Sequence, residues 1–175
     1  MIRIPAAPAL LSLLLLLPAP AHAATGPSWR AWDPGFQEAA RLKRPVLVDV
    51  YTNWCGWCKR MDREVYSRPD VRDYVARRFV AVKLDAESAA SVRHEGRTMT
   101  SRSLAVRLGV RGYPNTIFLD AKGRRIGGVP GYLPADQFLL LLRFVADGHA
   151  ERGESFEAFT RAAGGKGGAG AGAGR

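Results

Sequence analysis

Residues 48–59 read Val-Asp-Val-Tyr-Thr-Asn-Trp-Cys-Gly-Trp-Cys-Lys and contain both cysteines of the 175-residue chain. The β-branched run Val46–Tyr51 is typical of a central strand that is buried on both of its faces. From Cys55 onwards the apolar residues recur at helical spacing. The sequence therefore predicts a strand, a short loop at 52–54 and a helix that begins at the cysteines.

The rest of the chain alternates between helical and strand patterns. Helices are predicted at 33–44, 69–78, 101–108, 134–147 and 154–163, and further strands at 79–85, 116–119 and 124–129. The four residues at 120–123 include a glycine and predict an antiparallel hairpin. Residues 86–100 have no clear period and are predicted to be an inserted loop with helical turns. This order predicts an α/β fold: a mixed sheet of about four to five strands, flanked by helices, with an insert before the helix at 101–108.

Two of the predicted helices have recognisable starts. Asp33 is predicted to be an N-cap because Pro34 follows it at the first helical position. Thr100 or Ser101 is predicted to cap the helix that carries Leu104.

The ends of the chain suggest export and a simple domain organisation. A basic residue, an apolar run at 10–17 and the small-residue pattern Ala21-His22-Ala23 predict a signal peptide at 1–23, cut after Ala23. The run is shorter than the roughly 20 residues that cross a bilayer, so an uncleaved anchor is the weaker alternative and no stable membrane anchor is expected after cleavage. We predict one domain at 24–150, a helical extension at 151–163 and a disordered Gly/Ala tail at 164–175. The protein is thus expected to be periplasmic or otherwise secreted.

The chain is strongly basic, with a formal net charge of +10. Such a charge fits binding to nucleic acid, anionic lipid or acidic partners. The arginines are, however, scattered with no run longer than two, which favours a solvated basic surface. Together with export, this argues against nucleic acid as a partner.

The two cysteines are three residues apart, which favours chemistry over a structural role. A disulfide that closes so short a loop constrains the unfolded chain little. Zinc needs about four ligands, and only His94 and His149 remain after signal removal, without ligand spacing. Covalent haem attachment needs a histidine after the second cysteine, where Lys59 stands. We therefore predict no metal and no cofactor other than a redox-active Cys55–Cys58 disulfide.

The predicted position of the cysteines gives them different roles. The N–H groups and dipole of a helix N-terminus favour a thiolate, so Cys55 is expected to have a lowered pKa and to be the attacking sulfur. Cys58, one turn inside, is expected to be shielded and to expel the substrate from the mixed disulfide.

Residues 48–59, together with Gly-Tyr-Pro-Asn-Thr-Ile-Phe-Leu-Asp at 112–120, closely resemble the thioredoxin superfamily, in particular its exported thioredoxin-like members. The resemblance covers about residues 30–147 and implies a thioredoxin-like fold. It also implies that Pro114 is the cis-proline that faces the dithiol and leaves the backbone of Tyr113 free to pair with an extended substrate. The alternative is a trans proline that only starts a strand.

The resemblance assigns roles to two charged residues. It implies that Asp49 is the buried acid that takes the proton from the resolving cysteine and that Lys83 is the lysine beside it. A buried acid is costly unless it is paired or functional. The alternative is a structural ion pair between Asp49 and Lys83.

The remaining site residues implied by the resemblance are expected to contact substrate. Trp54 precedes the attacking cysteine, with simple packing under the loop as the alternative, and Gly131 lets substrate approach across the groove. Gly56 and Trp57 stand where thioredoxins have Gly-Pro, so the family's reduction potential does not carry over. Tyr113 is bulkier than the usual aliphatic residue, which affects substrate preference.

The predicted function is that of a thiol:disulfide oxidoreductase that exchanges disulfides in exported proteins, as a reductase or interchange enzyme more than as a net oxidant. The predicted partners are exported protein thiols and disulfides, with a membrane thiol reductase as electron donor, and the protein is expected to be a monomer. The alternative is a non-catalytic peptide-binding module or holdase of the same fold.

Overall fold

The computed structural model describes residues 26–167. Its helices are α1 (Trp32–Leu42), α2 (Gly56–Met61), α3 (Pro69–Arg78), α4 (Ser101–Arg107), α5 (Ala135–Ala146) and α6 (Phe156–Gly167). Its strands are β1 (Val46–Tyr51), β2 (Val80–Asp85), β3 (Ser91–His94), β4 (Arg97–Thr100), β5 (Asn115–Leu119) and β6 (Arg125–Pro130). A π-helical turn, Asp62–Tyr66, continues α2.

The central sheet has four strands in the order β2-β1-β5-β6. Strand β1 is parallel to β2 and antiparallel to β5, and β5 and β6 form an antiparallel hairpin. Arg30 adds a single backbone bridge outside β2, and the sheet has no fifth strand within residues 26–167. The structure thus confirms the predicted α/β class and the mixed sheet with one antiparallel edge.

Strand β1 lies at the centre of the core, buried on both faces as predicted. Its valines, Val46, Val48 and Val50, pack in the cluster that contains residues of α1 and α4. Leu47 points to the opposite face and packs with residues of α3 and α5. Because side chains alternate along a strand, Asp49 shares the face of Leu47. The chain leaves this strand and enters α2 at Cys55, so the sheet positions both cysteines.

The insert predicted at 86–100 is not a loop with helical turns, and that part of the prediction is wrong, because β3 and β4 form an antiparallel hairpin there. Glu95 and Gly96 make the two-residue turn, and both have positive φ angles, 49° and 75°. Val92 and His94 are buried, while the alternate residues of β3 are exposed. Each strand has only four residues, which is too short to give a clear alternation in the sequence.

The capping role predicted for Asp33 is also wrong. Helix α1 begins one residue earlier, at Trp32, and no side chain caps it. The carboxylate of Asp33 instead accepts the backbone N–H of Arg93 at 2.9 Å, and Trp32 Nε1 donates to the carbonyl of the same residue at 3.0 Å. These two bonds attach the hairpin to α1. Thr100 does cap α4, since its hydroxyl accepts the N–H of Ser103 at 3.1 Å.

The C-terminal extension packs on α5 through aromatic rings. Phe156 and Phe159 both lie 5.5 Å from the ring of Phe144. Helix α6 ends at Gly167, so it includes the first four residues of the tail predicted at 164–175. The predicted signal peptide and the tail from residue 168 lie outside the described residues. Between residues 26 and 167, none of the helices combines the length and apolar character needed to span a bilayer.

Candidate active site

The two cysteines form a disulfide at the start of α2. Cys55 is the N-cap residue, and its Sγ accepts the backbone N–H of Cys58 at 3.0 Å. The N–H of Cys55 in turn donates to the carbonyl of Thr52 at 3.2 Å, which turns the chain from β1 into the helix. One sulfur therefore lies where the unpaired N–H groups of a helix begin.

Exposure does not distinguish the two sulfurs. Cys55 and Cys58 are both only 4% exposed in this oxidised state. Their positions do differ, because only the Cys55 sulfur accepts a backbone N–H at the helix start. A charge at this point interacts most favourably with the helix dipole, which favours Cys55 as the thiolate after reduction.

Asp49 lies inside the core on β1 and is 2% exposed. Burial raises the pKa of its carboxyl from 3.8 to about 6, against the opposing effect of the nearby Lys83 ammonium. Lys83 Nζ lies 3.2 Å from Asp49 Oδ2. Asp49 Oδ1 is buried and makes no hydrogen bond to another described residue. The Lys83 ammonium therefore contacts one carboxyl oxygen, and Tyr66 is a further group that lowers the pKa of this carboxyl.

Lys83 has a second and closer acidic partner that sequence reasoning missed. Its Nζ lies 2.7 Å and 2.8 Å from the two carboxylate oxygens of Asp62. Asp62 follows Cys58 by four residues, and this spacing puts both side chains on one helix face. The spacing could have indicated that Asp62 lies near the cysteines. The same ammonium lies 5.1 Å from the ring centroid of Trp29 and 5.0 Å from that of Tyr51. The Asp49–Lys83 pair is therefore part of a larger cluster.

A pocket of about 220 Å³ connects this cluster with Cys58. It is open to solvent and has room for several water molecules. Its lining combines charged, polar and aromatic residues around one sulfur: Tyr51, Thr52, Asn53, Cys58, Lys59, Asp62 and Lys83. Solvent therefore reaches Cys58, Asp62 and Lys83 through this opening.

The loop before β5 lies next to the residue that precedes Cys55. The peptide bond between Tyr113 and Pro114 is cis, as the resemblance implied. The ring of Tyr113 packs edge to face against Trp54 at 5.9 Å, and its backbone makes no hydrogen bond to another described backbone group. Gly131 has a φ of 82° and donates its N–H to the carbonyl of Pro114 at 2.8 Å. The unpaired backbone of Tyr113 thus belongs to a loop that contacts Trp54, the residue before Cys55.

Trp54 does not pack under the loop, which was the alternative interpretation from the sequence. It is 66% exposed, and its Nε1 donates to Glu87 at 2.9 Å. Trp57 is also largely exposed, at 54%, and its ring lies 5.5 Å from that of Tyr132. Tyr132 is a further residue of this surface that the sequence did not identify. Gly56 is exposed between the two tryptophans, and a Cβ at this position would meet nothing within 4 Å.

The histidines considered as metal ligands have other partners. His94 packs edge to face on Trp32 at 5.5 Å, and His149 bonds to Glu154 at 2.6 Å. Across residues 26–167, no group of three or more His, Cys, Asp or Glu side chains could hold a metal ion.

Comparison with known proteins gives consistent results. Residues 32–146 match the model of the family described as thioredoxin-like domain. The thiol:disulfide interchange protein DsbD of Pectobacterium atrosepticum is 31% identical over 101 residues, which are 57% of this chain and 16% of that protein. The DsbD of Cronobacter sakazakii is 35% identical over 98 residues, or 54% of this chain and 15% of that protein. The chain thus spans less than a fifth of the length of these curated relatives.

Among solved structures, a thioredoxin from Thermus thermophilus is similar in fold. Its TM-score is 0.59 at 27% sequence identity, and the alignment covers 74% of this chain and 94% of that one. The similarity therefore extends over nearly the whole of a thioredoxin domain.

Proposed function

Because the chain belongs to the thioredoxin-like domain family, we propose that it is a protein-disulfide oxidoreductase that exchanges disulfides in exported proteins through Cys55 and Cys58. It acts as a reductase or interchange enzyme more than as a net oxidant. One observation carries the proposal: the Cys55–Cys58 disulfide lies at the N-terminus of α2, where Cys55 Sγ accepts the N–H of Cys58 at 3.0 Å.

The reaction starts from the reduced dithiol. The Cys55 thiolate attacks one sulfur of the substrate disulfide, which breaks the S–S bond, forms a mixed disulfide and releases the other substrate sulfur as a thiolate that takes a proton from water. Cys58 then loses its proton and attacks Cys55 Sγ. This step releases the second substrate thiol, re-forms the Cys55–Cys58 disulfide and completes the transfer of two electrons to the substrate.

Asp49 accepts the proton of Cys58 in this scheme. With a pKa of about 6, its carboxyl is ionised at neutral pH yet basic enough to take a proton. Oδ2 faces Lys83, while Oδ1 makes no hydrogen bond to a described residue. Oδ1 is therefore the atom that receives the proton, which then leaves through the pocket beside Lys83 and Asp62.

The cell supplies the reducing equivalents from outside the chain. The proposed donor is a membrane thiol reductase that reduces the Cys55–Cys58 disulfide after each cycle, and the proposed location is the periplasm or the medium. The sequence at 1–23 supports export. N-terminal sequencing of the protein from that compartment is expected to begin at Ala24, and retention of residues 1–23 would contradict cleavage.

A glutathione redox titration tests the direction of the reaction. A potential near −270 mV supports a reductase, whereas a value near −120 mV would show a net oxidant. The proposal also includes that the protein is a monomer, and sedimentation velocity is expected to give the mass of a single chain.

The exposed rings of Trp54 and Trp57 favour one second candidate, a holdase that binds unfolded segments without redox chemistry. The variant Cys55→Ser separates the two functions. We expect it to lose disulfide reduction completely, while Val106→Ala, which changes an exposed apolar residue on α4, keeps it. If Cys55→Ser retains full cellular function, the holdase is correct and the enzyme is not.

A further inference from the structure

Two pairs of aromatic rings flank the redox centre. Trp54 and Tyr113 pack edge to face at 5.9 Å, and Trp57 and Tyr132 lie 5.5 Å apart. Trp54 immediately precedes Cys55, and Trp57 immediately precedes Cys58. Large apolar rings that remain exposed beside a reactive group are typical of a surface that binds a partner.

The second pair is held in place by polar contacts. The guanidinium of Arg60 lies 5.1 Å from the ring centroid of Trp57 and 5.2 Å from that of Tyr132. Arg60 Nε donates to Glu64 at 2.8 Å, and the Tyr132 hydroxyl donates to the same carboxylate oxygen at 3.0 Å. The four side chains therefore join the dithiol helix to the loop after β6. A surface that is already ordered loses less entropy when a partner binds.

The same surface offers a place for a polypeptide backbone. Tyr113 makes no hydrogen bond to a described backbone group, whereas the adjacent Pro114 carbonyl is already paired with Gly131. Gly131 and Tyr132 are consecutive, so this paired edge leads directly to the Trp57–Tyr132 rings. A segment that lies along Tyr113 thus presents its side chains to the aromatic pair.

We infer that Trp57 and Tyr132, held by Arg60 and Glu64, are specificity-determining residues that select extended polypeptide disulfides with aromatic or large aliphatic side chains beside the reacting cysteine. The inference rests on the proposed function and names its substrate class. Glu64 bonds the guanidinium of Arg60, so the wall formed by the two rings presents apolar surface more than net charge. When the side chains beside the substrate cysteine are small, this apolar surface stays in contact with water.

The test uses two peptides, each with one cysteine in a mixed disulfide with 5-thio-2-nitrobenzoate, which reports its own release by colour. One peptide has phenylalanine on both sides of the cysteine and the other has glycine. The symmetrical disulfide of the same chromophore serves as a small substrate. We expect the reduced wild-type protein to prefer the phenylalanine peptide about tenfold or more in kcat/KM, the range that an apolar pocket provides.

The variants Trp57→Ala and Tyr132→Ala are each expected to bring this preference close to one. Arg60→Gln, which loosens the rings without removing them, is expected to give an intermediate preference. Val106→Ala is the matched control and keeps the wild-type value. The ratio of the two peptides is the decisive quantity, because a change in dithiol reactivity affects both peptides equally.

The outcomes separate this inference from the proposed function. A wild-type protein that reduces both peptides equally, or variants Trp57→Ala and Tyr132→Ala that keep the preference, would overturn the inference and leave the oxidoreductase intact. A wild-type protein that reduces neither peptide nor the small disulfide would overturn both.

Discussion

The Lys83 ammonium lies between two carboxylates, 3.2 Å from Asp49 and 2.7 Å from Asp62. Asp49 is buried, whereas the side chain of Asp62 is 42% exposed. The Lys83 ammonium therefore connects the buried carboxyl of Asp49 with the pocket that opens to solvent. This arrangement makes the protonation of Asp49 depend on a residue of β2 and gives the site a measurable pH dependence.

Replacing Asp49 with asparagine is expected to stabilise the oxidised protein at neutral pH. Burial raises the pKa of Asp49 from 3.8 to about 6, so between these values the folded state binds the proton more strongly than the unfolded state does. The free energy of unfolding therefore falls as the pH rises through this window, by about 3 kcal/mol at 1.36 kcal/mol per pKa unit. Asp49→Asn removes this loss and is more stable than wild type at pH 7. Urea unfolding at pH 4 and pH 7 measures the difference.

The matched control for this measurement is Asp73→Asn, at a carboxylate on the surface of α3. Its removal is expected to change the stability by less than about 1 kcal/mol at either pH. If Asp49→Asn were less stable than wild type at pH 7, the carboxylate would be a net stabilising partner of Lys83 instead.

Replacing Lys83 with methionine is expected to raise the pKa of Asp49 further. The ammonium lowers this pKa by its charge and its hydrogen bond, and without it only the contact with Tyr66 still opposes the effect of burial. The pH midpoint for release of substrate from the mixed disulfide should then move above 6 by about one unit or more. Rapid-mixing kinetics between pH 5 and pH 9 measure this midpoint. Lys122→Met, in the turn between β5 and β6, should keep the wild-type midpoint, and an equal midpoint in Lys83→Met would show that Asp49 is not the base.

Replacing Cys58 with serine is expected to trap substrates. Cys55 can still attack a disulfide, but no second sulfur expels the partner, so mixed disulfides accumulate. Non-reducing gels of the affinity-purified protein should show these adducts, and reductant should remove them. Cys55→Ser serves as the comparison and should form few or none. Adducts through Cys58 instead would reverse the proposed order of the two sulfurs.

Replacing Gly96 with alanine is expected to weaken the β3–β4 hairpin. Gly96 has a φ of 75°, and a side chain in this region costs roughly 1–2 kcal/mol. Hydrogen exchange of the β3 and β4 amides should become faster, while the rate of disulfide reduction stays unchanged. Gly127→Ala in β6 is the control, because a Cβ there meets nothing within 4 Å and no unusual φ is involved. If the β3 and β4 amides exchanged at the same rate in both variants, the turn would not depend on the positive φ of Gly96.

The α/β fold and the location of the dithiol could be predicted from the sequence because their signals are local. The β-branched run of β1, the apolar face of α5 and the glycine-containing turn between β5 and β6 each lie within twelve or fewer consecutive residues. The position of both cysteines at a strand-to-helix junction follows from the same patterns. The resemblance to the thioredoxin superfamily also led to Asp49, Lys83 and the cis-proline.

Other features depend on contacts between distant segments. Asp33 has the residue type of an N-cap, yet its carboxylate bonds to the N–H of Arg93, sixty residues away. The short hairpin that supplies this N–H was predicted as a loop for the same reason, since its strands gain their burial only against the helices α1 and α4. Asp62 contacts Lys83, and Tyr132 contacts Trp57. The members of each pair are far apart in sequence and meet only in the folded chain.

The sequence by itself thus determined the groups to which we assign the chemistry, a cysteine pair behind a buried strand with an acid inside it. Only the tertiary structure decided how those groups are tuned and what surrounds them. Periodicity and capping depend on neighbours within about one helical turn, so they can be recognised along the chain. Burial, ion pairing and ring packing depend on distance in space, and this distance is unrelated to separation in sequence until the chain has folded.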